Sequence, residues 1–263
     1  MQYSAHRDRS YRTPAIVLQH RDFGEADRIY VLFTQSQGRT SAVARGVRKA
    51  GSKLGNHLDY FTELELELAR GRDLDVITGA TTIDQHPVLR TDIDAYGHAA
   101  HLVELVRDLT QEHQENARVY QLLAASLALL DDGVEPWHVA RHFELGFLIA
   151  TGYQPAIIDC AQCRTALLAE PNAWSTELGG LLCPNSHGTD RSATVLSVNA
   201  QKYLRLLARE GLAAVVRLDP PTDVRHEVSQ ALLASLRSVG ERDFASLRVL
   251  GVMQSGDILR RQP

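Results

Sequence analysis

The sequence has no apolar run of the roughly 18 residues that a membrane-spanning helix needs. Its first ten residues, MQYSAHRDRS, lack the apolar stretch of a secretory signal peptide. These two absences lead us to expect a soluble, cytoplasmic protein without a membrane partner. The chain is not disordered either, because 44% of its 263 residues are hydrophobic, enough for one large domain or two smaller ones.

Cysteine is scarce, with three residues in the whole chain. An odd, clustered set in a chain without an export signal is poor material for disulfides. Cys160 and Cys163 form a Cys-x2-Cys pair, and Cys183 follows after 19 further residues. This spacing matches the first three ligands of a zinc ribbon, since thiolates in such short turns present two sulfurs to one tetrahedral ion.

The fourth ligand of this zinc site does not follow the usual spacing. A second Cys-x2-Cys pair would place a cysteine at position 186, which is Ser186, whereas His187 stands one residue further on. Cys-x3-His is also usable, so we predict one structural Zn²⁺ ion bound by Cys160, Cys163, Cys183 and His187. The alternative is a degenerate ribbon that folds without metal. Four protein ligands would leave no open position, so the site is not predicted to be catalytic.

The net charge of −4 would normally argue against a nucleic-acid partner, but the charge is unevenly distributed. Residues 1–83 carry 12 Lys and Arg against 10 Asp and Glu, whereas residues 84–263 carry 16 against 22. The stretch 28–58 contains no acidic residue and six cations, namely Arg28, Arg39, Arg45, Arg48, Lys49 and Lys53. Such asymmetry indicates a polyanion partner for the N-terminal part. The alternative is a solvated basic loop.

Aromatic residues near these cations are few: Tyr30, Phe33, Tyr60 and Phe61. Some of them must fill the core, so we do not predict an aromatic platform for stacking bases. Nucleic-acid binding would then depend on charge, and therefore strongly on salt concentration.

The hydrophobic pattern changes near residue 84. Before it, alternating segments cut by glycine predict strands at 15–19, 28–33, 40–44, 61–68 and near 74–78. Five short strands with one long basic connection favour an OB-fold barrel, although a small sandwich or an SH3-like barrel gives nearly the same pattern. In the fourth strand Glu63, Glu65 and Glu67 alternate with leucines, so one face is acidic and would repel phosphate.

After residue 84 the apolar residues recur with a helical period. A stripe at i, i+3, i+4 and i+7 predicts a first helix around residues 102–109, and the same pattern predicts helices at 117–130, 136–150, 199–211 and 222–240. We therefore predict an α+β protein: an N-terminal five-stranded OB-fold barrel at residues 1–83, then an all-helical domain at 84–263 with a zinc-ribbon-like insertion at 155–190.

Two motifs resemble signatures of nucleotide-binding or catalytic sites without fulfilling them. Gly46 and Gly51 have the spacing of a P-loop, but the lysine and serine that follow stand in the wrong order. The pair His142 and Glu144 ahead of the cysteines resembles the signature of zinc deaminases, but Asp159 stands where that signature has proline. We interpret both residues of that pair as helix-surface residues.

His98 and His101 have a helical spacing and are interpreted as a second surface pair. The sequence contains neither Gly-x-Ser-x-Gly nor His-Glu-x2-His. We therefore do not predict an enzyme.

Several segments resemble the bacterial RecO family. They are FGEADR at 23–28, SAVARGVRK at 41–49, LARGRDLD at 68–75, and the cysteine region ending in GGLLCP at 179–184. The order of parts agrees as well, since a small barrel is followed by helices and by the cysteines. The resemblance covers most of the chain and is weak after residue 200.

The resemblance implies a non-enzymatic recombination mediator in DNA repair, with an OB-fold, a helical domain and a zinc ribbon. It implies binding of single- and double-stranded DNA, annealing of complementary strands, and a nucleoid-associated location. It also implies partnership with RecR in loading RecA onto strands coated with single-strand-binding protein. The family pattern usually has a fourth cysteine at the position of Ser186, from which this chain departs.

Annealing also makes physical sense for the basic stretch, because a cationic surface lowers the repulsion between two strands. We expect DNA contact through Arg28, Arg39, Arg45, Arg48, Lys49 and Lys53. The alternative is a protein–protein adaptor that does not bind DNA and whose acidic helical domain docks repair partners.

Overall fold

A computed structural model describes residues 9–247 of the chain. The N-terminal part consists of β1 (Ser10–Phe23), β2 (Asp27–Thr34), β3 (Gly38–Ala44), β4 (Glu63–Ala69) and β5 (Asp75–Asp84). These strands close into a barrel in the order β1-β2-β3-β5-β4, with β4 returning to β1. The pairs are antiparallel except β3 with β5, which is parallel. This closed five-stranded order is OB-like and confirms that prediction over the sandwich.

The strand β4 shows how the alternating sequence builds the barrel. Its three leucines are fully buried inside, and the glutamates between them face outward and are partly exposed. β1 is much longer than its predicted core because it serves two neighbours, pairing with β4 through its first half and with β2 through its second.

The helical part follows a short 3₁₀ turn. Its helices are α1 (Ile93–Leu109), α2 (Ala117–Asp131), α3 (Pro136–Ala150), α4 (Val198–Glu210), α5 (Leu212–Val215) and α6 (Thr222–Gly240). The bounds of α2, α3, α4 and α6 agree with the predicted ones to within one residue. α1 begins before the predicted stripe at 102–109, and the single turn of α5 was too short to show a helical period. Among residues 9–247, none of the helices is long and apolar enough to cross a membrane.

The cysteine region forms a small sheet between α3 and α4. It contains β6 (Asn172–Ser175), β7 (Gly180–Leu182) and β8 (Thr194–Leu196) in the order β7-β6-β8, with a 3₁₀ helix at Pro184–Thr189. The sheet therefore continues past the predicted boundary at residue 190. Trp174 connects this sheet to α6, because its indole Nε1 donates a hydrogen bond to the Ser235 hydroxyl at 3.1 Å.

One hydrophobic core joins the barrel to the helices. Ile16, Leu18 and Phe33 lie on the outer face of β1 and β2 and are buried in the same cluster as the helix interiors. Their neighbours in the strands, such as Val17, point into the separate core of the barrel. The outer face of β1 and β2 is thus covered by helices, whereas the β3–β4 connection remains at the surface.

The interpretation of two polar pairs as surface residues is wrong. His98, His101 and Glu144 are all buried, and His142 is partly buried. The reason is that α3 packs against the other five helices of the described region, so almost every side of it faces protein. Glu144 is stabilised there by an ion pair with Arg141, whose Nη2 lies 2.5 Å from its Oε1, and the same oxygen lies within hydrogen-bond distance of His101 Nε2 at 3.0 Å.

Candidate nucleic-acid interface and metal centre

The candidate nucleic-acid interface is residues 45–62, which join β3 to β4 at one end of the barrel and are called the basic loop below. Val47 and Leu58 are buried in the barrel core and anchor the loop. The cations of the loop are exposed, namely Arg45, Arg48, Lys49 and Lys53. Since the apolar residues point inward, the positive charge is directed to solvent.

Backbone contacts hold the basic loop against the β1–β2 turn. The Arg48 N–H donates to the Ala26 carbonyl at 2.9 Å, and the Gly46 N–H donates to Asp27 Oδ1 at 2.7 Å. Gly55 allows the loop to fold back on itself, because a Cβ there would lie 2.7 Å from the Val47 carbonyl oxygen. The cations are therefore displayed by a loop with a defined conformation.

An acidic residue outside the basic stretch neutralises part of its charge. The carboxylate of Asp22 accepts from Arg28 Nε at 2.9 Å and lies 3.4 Å from Arg48 Nη2. The hydrogen bond from Arg28 lowers the pKa of Asp22, so this carboxylate stays ionised. Arg28 is also only partly exposed. Asp22 therefore pairs with two of the six cations that the sequence predicts to contact DNA.

Arg39 does not lie with the other predicted cations. It stands at the start of β3, about 20 Å of strand away from Arg45. Its backbone carbonyl accepts from the His113 N–H at 2.8 Å, its backbone pairs with Glu112 in the connection between α1 and α2, and the residue is partly buried. The structure therefore groups the cations of the loop at one barrel end and leaves Arg39 at the other.

Among the aromatic side chains near the interface, Tyr30, Phe33 and Phe61 are buried, as the filling of the core requires. Phe23 is instead 49% exposed, at the end of β1 beside the turn that holds the basic loop. The sequence analysis did not select Phe23, although an aromatic residue directly before a Gly24 turn is a usable signal. One exposed ring thus lies close to the cations.

The candidate metal centre is formed by Cys160, Cys163 and Cys183. Their sulfur atoms all lie within 4.8 Å of one another, and those of Cys163 and Cys183 are 3.7 Å apart. Tetrahedral zinc with Zn–S bonds of about 2.3 Å would separate two sulfurs by roughly 3.8 Å. Both the spacing and the donor atoms therefore fit a metal ion such as zinc.

Hydrogen bonds favour the thiolate forms that a metal needs. Burial raises the pKa of Cys160, but hydrogen bonds to its sulfur, first among them those from the N–H groups of Cys163 and Cys183, together bring the pKa to about 6. The hydroxyl of Thr165 lowers the pKa of Cys163. Both effects favour the thiolate, and Cys160 is readily deprotonated near neutral pH.

The fourth predicted ligand, His187, does not join the three cysteines. Its Nε2 accepts a hydrogen bond from the Ala173 N–H of β6 at 3.1 Å. Ser186 is buried instead beside the cysteines, with its hydroxyl oxygen 3.5 Å from the Cys183 sulfur. The structure thus brings together three of the four predicted ligands.

Comparison with known proteins agrees with this architecture. Residues 9–86 match the family model "Recombination protein O N terminal" and residues 90–248 match "Recombination protein O C terminal".

Curated relatives match over nearly the full chain. The DNA repair protein RecO of Roseiflexus sp. (strain RS-1) is 40% identical over 246 residues, covering 93% of this chain and 86% of the relative. The DNA repair protein RecO of Dehalococcoides mccartyi (strain CBDB1) is 34% identical over 248 residues, covering 94% and 98%. That of Pelotomaculum thermopropionicum is 32% identical over 240 residues, covering 91% and 93%. With a closed OB-like barrel, a helical part and a cysteine cluster in this order, the chain belongs to the RecO family of DNA repair proteins.

Proposed function

We propose that this protein is a DNA-binding recombination mediator that holds single- and double-stranded DNA on the basic loop. The observation that carries the proposal is the group of four exposed cations, Arg45, Arg48, Lys49 and Lys53, on a loop anchored by buried residues. Residues 1–83 act as the DNA-binding domain, and residues 84–263 as the helical domain with its metal-binding insertion.

Binding through these cations neutralises phosphates and does not read base sequence. Lys and Arg side chains on a flexible stem suit both single strands and duplexes, because both present a phosphate backbone. When two complementary strands lie near the loop, their mutual repulsion is lowered and base pairing brings them together. No bond is broken, so annealing requires no catalytic residue, and we propose no enzymatic activity.

The relatives are named DNA repair proteins, and this name supports a role of the chain in DNA repair. We propose that it acts with RecR in loading RecA onto strands coated with single-strand-binding protein, in the cytoplasm and in association with the nucleoid. The acidic helical domain is the part proposed to contact protein partners, because like charge keeps it away from the DNA backbone.

We also propose that the cysteine cluster holds one structural Zn²⁺ ion through Cys160, Cys163 and Cys183. Zinc bound there would cross-link the turn at 160–163 to the end of β7. Its contribution is structural, because it would hold the turn at 160–163 against the small sheet and lies outside the basic loop.

Titration of fluorescent single-stranded DNA with the full chain at several salt concentrations tests the proposal. Neutralisation of four phosphates gives a slope of log K against log salt of about −2.8. The double variant Arg48→Glu/Lys49→Glu is compared with a control of equal charge change, Lys202→Glu/Arg217→Glu, at exposed sites of the helical part.

We expect the loop variant to lose most binding and the control to retain more of it. Equal affinities of the two variants would contradict the proposed interface. A wild-type chain that leaves DNA unbound but still retains RecR would support the adaptor instead.

A further inference from the structure

The fourth position of the metal centre is chemically different from the other three. Cys160 and Cys163 are separated by two residues, and so are Cys183 and Ser186. The Ser186 N–H donates to the Cys183 carbonyl at 2.8 Å, which closes the second turn. Ser186 therefore occupies the position in the second turn that corresponds to Cys163 in the first.

The Ser186 hydroxyl faces the three thiols. Its oxygen lies 3.5 Å from the Cys183 sulfur, within the group formed by the three thiols. Ser186 is only 5% exposed, so the surrounding protein holds its side chain in this direction. An oxygen atom thus occupies the remaining side of the cysteine cluster.

The imidazole of His187 is engaged elsewhere. A neutral imidazole has one nitrogen with a free lone pair, and here Nε2 uses that lone pair to accept the Ala173 N–H. Nδ1 then carries the proton and cannot bind a metal. Ligation by His187 would require breaking this contact and leaving an N–H of the central strand β6 without its acceptor.

We propose that the metal centre of this chain has three thiolate ligands and a fourth, oxygen-donor position at Ser186 that exchanges with external ligands. This inference rests on the proposed metal binding. A neutral serine hydroxyl, or a water hydrogen-bonded to it, is a weaker zinc ligand than a thiolate or an imidazole. A small donor such as free imidazole displaces it, which a centre closed by four strong ligands resists.

Cobalt(II) substitution in the full-length protein tests the proposal, because the absorption spectrum reports the ligands of the ion. The stoichiometry of cobalt binding measures whether the site holds metal at all, and the spectrum separately measures the fourth ligand. We expect one ion per chain and a spectrum that changes when imidazole is added. Ser186→Cys should raise the thiolate charge-transfer absorption by about one third, from three thiolates to four, and abolish the response to imidazole.

The matched control is His187→Gln, whose side-chain carbonyl can still accept the Ala173 N–H. We expect its spectrum and metal affinity to equal those of the wild type. Ser186→Ala removes the hydroxyl at the fourth position, so we expect a changed spectrum, and an unchanged one would overturn the assignment of this position to Ser186. A wild-type spectrum that imidazole does not alter, or one that His187→Gln does alter, would overturn the proposal. Absence of cobalt binding would overturn both this inference and the proposed zinc.

Discussion

Asp22 and Arg28 form an ion pair across the β1–β2 hairpin, with Arg28 Nε at 2.9 Å from the Asp22 carboxylate. They are direct partners in the register of the two strands. Since Arg48 also lies within 3.4 Å of the same carboxylate, Asp22 acts as an internal substitute for a phosphate. The strength of DNA binding should therefore depend on this acidic residue.

Asp22→Asn should tighten binding of single-stranded DNA, because Arg28 and Arg48 become available to phosphates. We expect the slope of log K against log salt to steepen by about 0.7 for each cation gained. The measurement is fluorescence anisotropy of a labelled oligonucleotide. Glu177→Gln, which removes an exposed acidic charge in the turn between β6 and β7, is the control and should change the slope little. A variant that binds more weakly than the wild type would show that the Asp22 pair organises the interface.

Phe23→Ala should weaken binding of single strands more than binding of duplexes. An exposed ring beside a cationic loop can stack on an unpaired base, whereas the bases of a duplex are already stacked. We expect a loss of about 1 kcal/mol, roughly five-fold in affinity, for the single strand. Leu168→Ala is the control, since Leu168 is 68% exposed and lies on the cysteine-containing region. Equal losses for single strands and duplexes would argue against stacking.

Glu144→Ala should destabilise the fold strongly. The substitution leaves the buried guanidinium of Arg141 without its counter-charge and removes an acceptor from His101. Breaking a buried pair in this way costs about 3–5 kcal/mol of the free energy of unfolding, measured by urea denaturation. Glu177→Ala serves as the exposed control and should change it by less than about 0.5 kcal/mol. A similarly small loss at Glu144 would contradict its buried ion pairing.

The stability of the protein should decrease in mild acid, partly through His142. Burial lowers the pKa of His142 below its ordinary value near 6.5. The unfolded chain then binds more protons than the folded one below pH 6.5. The contribution is therefore complete above that pH, and it is lost as the pH falls toward the pKa of the folded state.

Urea denaturation at pH 7.5 and 5.5 measures this effect. We expect His142→Leu to lose less stability than the wild type between the two pH values, by at most about 1.4 kcal/mol per pH unit. His226→Leu, at an exposed position of α6, should keep the wild-type dependence. Identical pH profiles for all three proteins would exclude His142 as a contributor.

The strand β4 and the helix α1 could be predicted because their sequences carry a regular apolar pattern. The leucines of β4 alternate with glutamates, and α1 carries an apolar stripe, so period alone identifies both elements. The burial of Glu144 could not be predicted in this way, because α3 is surrounded by helices and its polar residues are paired inside the core. Hydrophobic periodicity predicts burial when a helix has one side facing protein. It does not predict the burial of polar residues on a helix that is surrounded by protein.

The candidate interface shows a similar limit. The stretch without acidic residues begins at Arg28. The β1–β2 hairpin nevertheless places Asp22 opposite Arg28, and a count of charges along the chain does not reveal this pairing. The distance of Arg39 from the basic loop follows from the length of β3, which the charge pattern does not contain. The Cys-x2-Cys spacing predicted the candidate metal centre, whereas the hydrogen bond of His187 to β6 depends on the geometry of the sheet.

The apolar seam between the barrel and the helices, built from side chains such as Ile16, Leu18 and Phe33, has a consequence for genetics. A fragment ending at residue 84 would expose this seam to water, so the barrel depends on the helices for its stability. Loss-of-function mutations that weaken a distant helix should then reduce DNA binding as well, without touching the basic loop. Alleles that separate the proposed DNA binding from the proposed contacts with protein partners are therefore expected among its exposed side chains.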